Sequence, residues 1–383
     1  MLVLLCTRAF CDSQALQFYM QRFSRADLSA KAEIFEHAAS DAAMKESMGQ
    51  LYEYALQFAL DNSAVLKNDP DMIKIIAIAV NGLKDTDRSE NLEILWQLFS
   101  EYTDSSTEAD ILLAMGRLGK GDPQIISNVN NYLLEINSRF VSGESVNYAI
   151  VSAGIAAIME LGDSSSYPVL FSIMCAGYPE VIDMEAQGAL DFIPGNFLRF
   201  LLDAIEKNPP VEKFAAFKAG INSGRLSMSE RGQVAELAFE QALTFYGGED
   251  DADISAMRYA AAQALVPLRW TRANALAIRH YYRVQTDYQH GNISKERFIE
   301  AIELLGAVGN SDAALALGLQ LGLINARAER TGDIDEDIIL AIVNALGLIG
   351  DKAAFDHLLY VSNLSYSDDI QAAAKEAINR LKW

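Results

Sequence analysis

Cysteine is almost missing from this chain: 383 residues carry three, and two of them, Cys6 and Cys11, fall within the first eleven positions. A disulfide framework is therefore excluded, and Cys175, alone in the apolar run FSIMCAG, reads as a buried structural thiol. Histidine is nearly as scarce, with His37, His280, His290 and His357 the full complement. No two of them stand four apart on a helix and no C-x-x-C occurs, so the usual zinc sites lack their ligands. Proline is limited to eight residues, and apolar–polar alternation is nowhere sustained, which removes the ordinary signals of a β fold. Long apolar runs are lacking too, since none approaches the roughly 18 residues that span a bilayer. Positive charge is short: 31 Lys and Arg face 52 Asp and Glu, for a net charge of −21. A field of that sign repels nucleic acid and anionic lipid.

What remains is rich in alanine, leucine and isoleucine, and 51% of the chain is hydrophobic. The clearest stretch is Asp337 to Lys382, which reads as helix, Gly-Asp turn, helix, polar loop, helix. In the first helix Ile338, Ile342, Ala345 and Ile349 share a face that Ile339, Ala341 and Leu346 broaden, so it is predicted to pack on more than one side. Gly350 supplies a left-handed end and Asp351 a cap for the next helix, where Phe355, Leu358 and Leu359 form the predicted buried stripe. The last helix sets Ile370, Ala373, Ala374, Ala377, Ile378 and Leu381 against an opposite face of Gln371, Lys375, Glu376, Asn379 and Arg380. One apolar and one polar face is the pattern of the capping helix of a stacked array.

Looser copies recur upstream. The turns MGRLGKGDP, IMELGDS, LGAVGNSD and LGLIGDK each place an apolar residue before glycine with Asp or Asn soon after. Gly119 and Gly162 are 43 residues apart, and Gly309 and Gly350 are 41 apart. Between these units Pro194-Gly195-Asn196 and Pro267-Leu268-Arg269 take the turn's place. A helical hairpin repeating at about 40–47 residues has the period of HEAT and armadillo arrays. The chain thus resembles HEAT-repeat proteins, in particular the short type with an IGD turn between its helices. The resemblance implies an all-α solenoid of roughly eight antiparallel helix pairs with a C-terminal capping helix, whose groove holds a protein partner.

Residues 1–13 stand apart. Met1 to Cys6 is a short apolar run, and Ala9-Phe10-Cys11 before Asp12 has the form of a small-residue cleavage site. One reading is a signal peptide lacking its charged start, which would place the protein in the periplasm or outside the cell. The other is an apolar N-terminal segment packed on the helices, which leaves the protein cytoplasmic. Residues 14–383 are expected to form a single solenoid.

Little in the pattern carries chemistry, so no catalytic, metal or cofactor residues are expected. Gly116-Arg-Leu-Gly119-Lys120 has the wrong spacing for a phosphate loop and no strand before it. Asp333, Asp335 and Asp337 alternate as in a calcium loop, but Ile338 sits where that loop requires glycine and Asn344 where it requires glutamate. The acidic run GGEDDAD at 247–253 offers carboxylates without a defined geometry.

One stretch departs from the average. Between Arg258 and Arg297 seven basic residues face two acids, a local charge of +5 in a chain of −21. Arg269, Trp270, Arg272, Arg279, Tyr282 and Arg283 are its candidate partner-binding residues, with Arg272, Arg279 and Arg283 at spacings of seven and four that suit one helix face. Arginine with tyrosine and tryptophan is the composition of interaction hot spots. The alternative is that these arginines pair with acids of neighbouring repeats while the rings fill core gaps. The leading expectation is a non-catalytic scaffold or adaptor that binds a protein partner with an acidic segment along its concave surface. A chromophore lyase or similar accessory enzyme, and a structural envelope component, are the other two classes.

Overall fold

The computed structural model describes residues 2–86, 88–245, 251–331 and 335–382, and for 2–13 and 331 the backbone alone. It resolves into two compact units, Met1–Phe197 and Leu198–Trp383. Both are helical, and among the described residues no strand forms beyond a single bridge between Asp351 and Lys382.

The first unit contains α1 (Leu2–Arg25), α2 (Leu28–Ser40), α3 (Met48–Asp61), α4 (Ser63–Leu66), α5 (Pro70–Lys84), α6 (Leu92–Glu101), α7 (Ser105–Leu118), α8 (Pro123–Val141), α9 (Tyr148–Leu161), α10 (Tyr167–Cys175) and α11 (Glu180–Phe192). In it α3, α5, α7, α9 and α11 pack in succession as one layer, and α6, α8 and α10 lie against that layer as the second members of their pairs. After α12 (Phe197–Lys207), the second unit contains α13 (Pro210–Asn222), α14 (Met228–Thr244), α15 (Ala252–Leu268), α16 (Asn274–Gln289), α17 (Lys295–Val308), α18 (Ser311–Thr331), α19 (Glu336–Ile349), α20 (Phe355–Val361) and α21 (Asp368–Asn379). Here α13, α15, α17, α19 and α21 form one layer, and α14, α16, α18 and α20 the other. Stacked pairs of this kind make the chain an all-α helical-repeat solenoid.

The chain's aspartates serve the helix starts. Asp69, Asp104, Asp122, Asp251 and Asp335 accept backbone N–H groups at the first turns of α5, α7, α8, α15 and α19, where an acid also meets the positive end of the helix dipole. The helix ends use cations, buried at Lys31 and Lys213 and half-buried at Arg231. Lys31 donates to the carbonyl of Phe23, Lys213 to those of Ile205 and Glu206 at 2.5 and 2.7 Å, and Arg231 to that of Ser223 at 2.5 Å. The same separation of eight residues recurs in the Phe23, Ile205 and Ser223 pairs. Burial pushes the ammonium groups of Lys31 and Lys213 below the ordinary lysine value. The Lys31 ammonium lies 4.5 and 4.6 Å from the rings of Phe23 and Phe58, which compensates part of that cost.

Repeats are tied by hydroxyls about one period apart. Tyr102 donates to the Ala59 carbonyl at 2.9 Å and Tyr366 to Asn325 Oδ1 at 2.8 Å, 43 and 41 residues away. The turn glycines divide into two kinds. Gly162 and Gly350 are left-handed, at φ 64° and 69°. Gly119 and Gly309 have ordinary negative φ, and space is what they save: a Cβ at Gly309 would lie 2.3 Å from the Leu305 carbonyl oxygen.

Three of these turns have a second glycine three positions earlier, in G116-R-L-G119, G306-A-V-G309 and G347-L-I-G350. A Cβ at Gly116 would come within 2.6 Å of Ala157 Cα on α9, one at Gly306 within 2.9 Å of Ala345 Cα on α19, and one at Gly347 within 2.9 Å of Ala377 Cβ on α21. Glycine against alanine thus sets how closely α7 and α9 approach in the first unit, and α17, α19 and α21 in the second.

Several sequence expectations are corrected. Leu359 is 44% exposed, and Leu358 and Val361 are the buried apolar residues of α20. Cys175 is half-buried at the end of α10. Arg272 precedes the helix it was expected to share with Arg279 and Arg283, since α16 begins at Asn274 after a 3-10 turn at Thr271–Ala273. Asp333, most of the GGEDDAD run and Trp383 lie outside the described residues, as do the side chains of the 1–13 segment; α1 carries that segment's backbone from Leu2 and Gln14–Phe23 in one helix.

Candidate functional site

All six candidate residues lie in the second unit, and the packing of α14, α15 and α16 decides where each points. At α14 a capping box between Ser227 and Glu230 starts the helix. Two turns of its surface then receive the irregular Pro267-Leu268-Arg269-Trp270 segment. Gly232 leaves room for the Trp270 ring, whose Cε3 would be 2.4 Å from a Cβ there. One turn on, Glu236 accepts the indole N–H at 2.8 Å. Arg272 reaches the same carboxylate at 3.3 Å and lies 5.5 Å from the Trp270 ring centroid. Trp270 and Arg272 therefore fasten the turn to α14.

Arg269 is held by that fastening in a left-handed conformation, φ 47° and ψ 46°, which the turns at Gly162 and Gly350 reach with glycine. It is the one described non-glycine residue with positive φ. Its guanidinium makes no ion pair among the described residues. Instead Arg269 stands on the rim of a cleft of about 570 Å³ that crosses α15, α17 and α19. Glu303 and Asn344 are the other polar groups of the rim, Leu348 forms a wall, and Gly306 and Ala345 form the floor. The small residues that let α17 and α19 approach thus also line the cleft.

Arg279 and Tyr282 lie on α16, in the other layer, and both are exposed, Tyr282 to 47%. Arg283 is half-buried beside His280. The expected common face of Arg272, Arg279 and Arg283 does not form, because Arg272 precedes the helix and turns back to α14. The remaining basic residues of the stretch are engaged within the unit. Arg258 lies over the Tyr259 ring at 4.8 Å, Arg297 lies over the same ring at 4.4 Å and pairs with Glu300 at 2.8 Å, and Lys295 pairs with Asp335 and Asp337. The aromatics are mostly core: Tyr281 is buried, and the Tyr288 ring stacks on Phe298 at 5.0 Å.

His280 is buried among Phe239, Tyr259 and these arginines. Burial first, then the charges of Arg258 and Arg283, push its pKa down to about 3, so it is neutral at physiological pH. Among the described residues no cluster of three His, Cys, Asp or Glu is placed to hold a metal ion, and no helix is long and apolar enough to cross a membrane.

Sequence reasoning missed Glu303, Asn344 and Leu348, since they come from two further repeats and share no local pattern. It also missed three exposed leucines on α18, Leu315, Leu319 and Leu323; their spacing of four was a legible signal.

A scan against protein-family models matches none, and no curated protein matches the sequence. Among solved structures, the chain is similar to one from a "Homology model of the full-length AP-3 complex in an intermediate open conformation". The two are 16% identical with a TM-score of 0.39, over 97% of this chain and 68% of that one.

Proposed function

We propose that this protein is a non-catalytic helical scaffold, of the short HEAT type, that binds a protein partner through an acidic segment seated in the α15/α17/α19 cleft. The observation that carries the reading is Arg269: an exposed guanidinium without an ion pair among the described residues, in a backbone conformation that favours glycine, on the rim of a cleft with a small-residue floor. Strain kept at a surface position is a pointer to function, and arginine suits a carboxylate through two parallel hydrogen bonds. Mixed apolar and polar lining is what peptide-binding clefts offer. Arg279 and Tyr282 lie on a different layer and provide a separate basic-aromatic surface. Residues 1–13 are read here as a leader, which places the partner outside the cytoplasm; the mass of the mature protein from its native cell tests this.

The test is a partner recovered by crosslinking from native extract, followed by titration with variants. Replacing Arg269 by Glu should weaken binding by tenfold or more, about 1.4 kcal/mol, while Arg279→Glu changes it less. Undiminished binding by a folded Arg269→Glu protein rejects the cleft as the site.

A further inference from the structure

The outer face of α18 carries a straight row of exposed side chains: Asp312, Leu315, Leu319, Leu323, Ala326 and Arg330. The steps of three and four residues keep all six on one line of the helix. Its three leucines are 53%, 63% and 69% exposed, which is unusual for a contiguous apolar row on a soluble surface. The helix cannot roll to bury them, because its flanks are already engaged. Gly318 and Gly322 take the His357 ring of α20 on one side, and Gln320 accepts a hydrogen bond from Gln285 of α16 at 2.6 Å on the other.

We propose that this row docks on the same row of a second copy of the chain, antiparallel, about a two-fold axis near residue 321. The charges at its ends argue for this occupant. One end is an acid and the other a base, and neither Asp312 nor Arg330 forms an ion pair among the described residues. A uniformly acidic or basic partner would be repelled at one end. The row reversed is its own complement: Asp312 meets Arg330 of the second copy, Leu315 meets the smaller Ala326, and Leu319 meets Leu323, each contact occurring twice. Such self-complementarity is the requirement of an isologous two-fold interface. Antiparallel alignment also sets the positive end of each helix dipole beside the negative end of the other. Tyr360 on α20, 41% exposed, reaches α18 by donating its hydroxyl to Glu329 at 2.5 Å. A contact centred on one helix is small for a permanent dimer, so a reversible one is expected.

Light scattering and sedimentation of the full chain across concentration test this, with circular dichroism as the control for folding. The intact protein should approach twice the mass of one chain at about 100 µM and dissociate on dilution, in the range of small interfaces. Leu319→Asp should give one chain's mass throughout. Asp312→Arg and Arg330→Asp should each weaken association several-fold, and the two together should restore it, since the pair is re-formed with its signs exchanged. Intact protein that stays monomeric, association that survives Leu319→Asp, or a double variant that fails to recover would each overturn the proposal. So would a monomeric intact protein that binds a different protein in a Leu319-dependent way. None of these readings involves Arg269, so failure here leaves the cleft proposal standing, and the converse holds.

Discussion

Arg269 is an L-residue held in a backbone conformation that suits glycine. Its left-handed backbone costs an L-residue about 1 kcal/mol relative to glycine. Arg269→Gly should therefore raise the unfolding free energy by about 0.5–1 kcal/mol in urea titration while weakening capture of the proposed acidic partner, by less than Arg269→Glu does. Loss of stability instead would mean that the side chain serves the fold. His280 makes a second prediction at this scale. Above pH 6.5 it is neutral both folded and unfolded, and its contribution to stability is complete. Below pH 6.5 the unfolded chain takes up a proton that the folded site refuses until about pH 3. Stability is therefore lost as pH falls through that window, by about 2 kcal/mol between pH 6 and 4. His280→Phe should remove this component of the pH dependence in urea titrations at the two pH values, because the Nδ1 atom of His280 has no hydrogen-bond partner to lose. Arg269 and its neighbours stood out in composition as candidates. Which arginines are occupied was not, because Glu236 lies 34 residues before Trp270.

Elements were read more faithfully than residues, and the reason is periodicity. The Gly-Asp turn at Gly350 and the apolar side of α21 follow from local pattern, and Ile370, Ala374, Ala377 and Leu381 are buried as expected. Leu359 went the other way because α20 is only seven residues long, too short for a stripe to define a face. The Gly-x-x-Gly spacing was visible in three turns, but its purpose depends on an alanine one repeat later. Gly116→Ala should destabilise by about 1–3 kcal/mol, since the added carbon meets the backbone of α9 rather than a movable side chain. A thermal melt unchanged from that of the parent protein would show that the layer can spread at no cost. The buried cations give an independent case. Lys213→Met leaves the Ile205 and Glu206 carbonyls without their donor, and the loss is expected at about 1–3 kcal/mol by chemical denaturation.

At the scale of the whole molecule, the repeat was legible and the division at Phe197 was not. The turn at Pro194-Gly195-Asn196 reads like any other substitute for Gly-Asp, and nothing in its composition distinguishes a unit boundary from a repeat boundary. Helices within each unit touch mainly their neighbours in the stack, so stability is expected to behave as a sum of nearest-neighbour terms. Hydrogen exchange on Gly116→Ala should accordingly speed up in α5, α7 and α9 while amides of α17, α19 and α21 keep their protection. Uniform acceleration along the chain would indicate one cooperative block.

The eight-residue spacing of buried cation and carbonyl has a practical consequence. Lys31 lies in the first unit and Lys213 in the second, 3% and 6% exposed. Amine-reactive labels will pass over both in the native protein while marking the surface lysines around them. Each unit thus contains its own chemical clock: the appearance of label on Lys31 or on Lys213, followed by mass spectrometry, times the opening of that unit separately from the other.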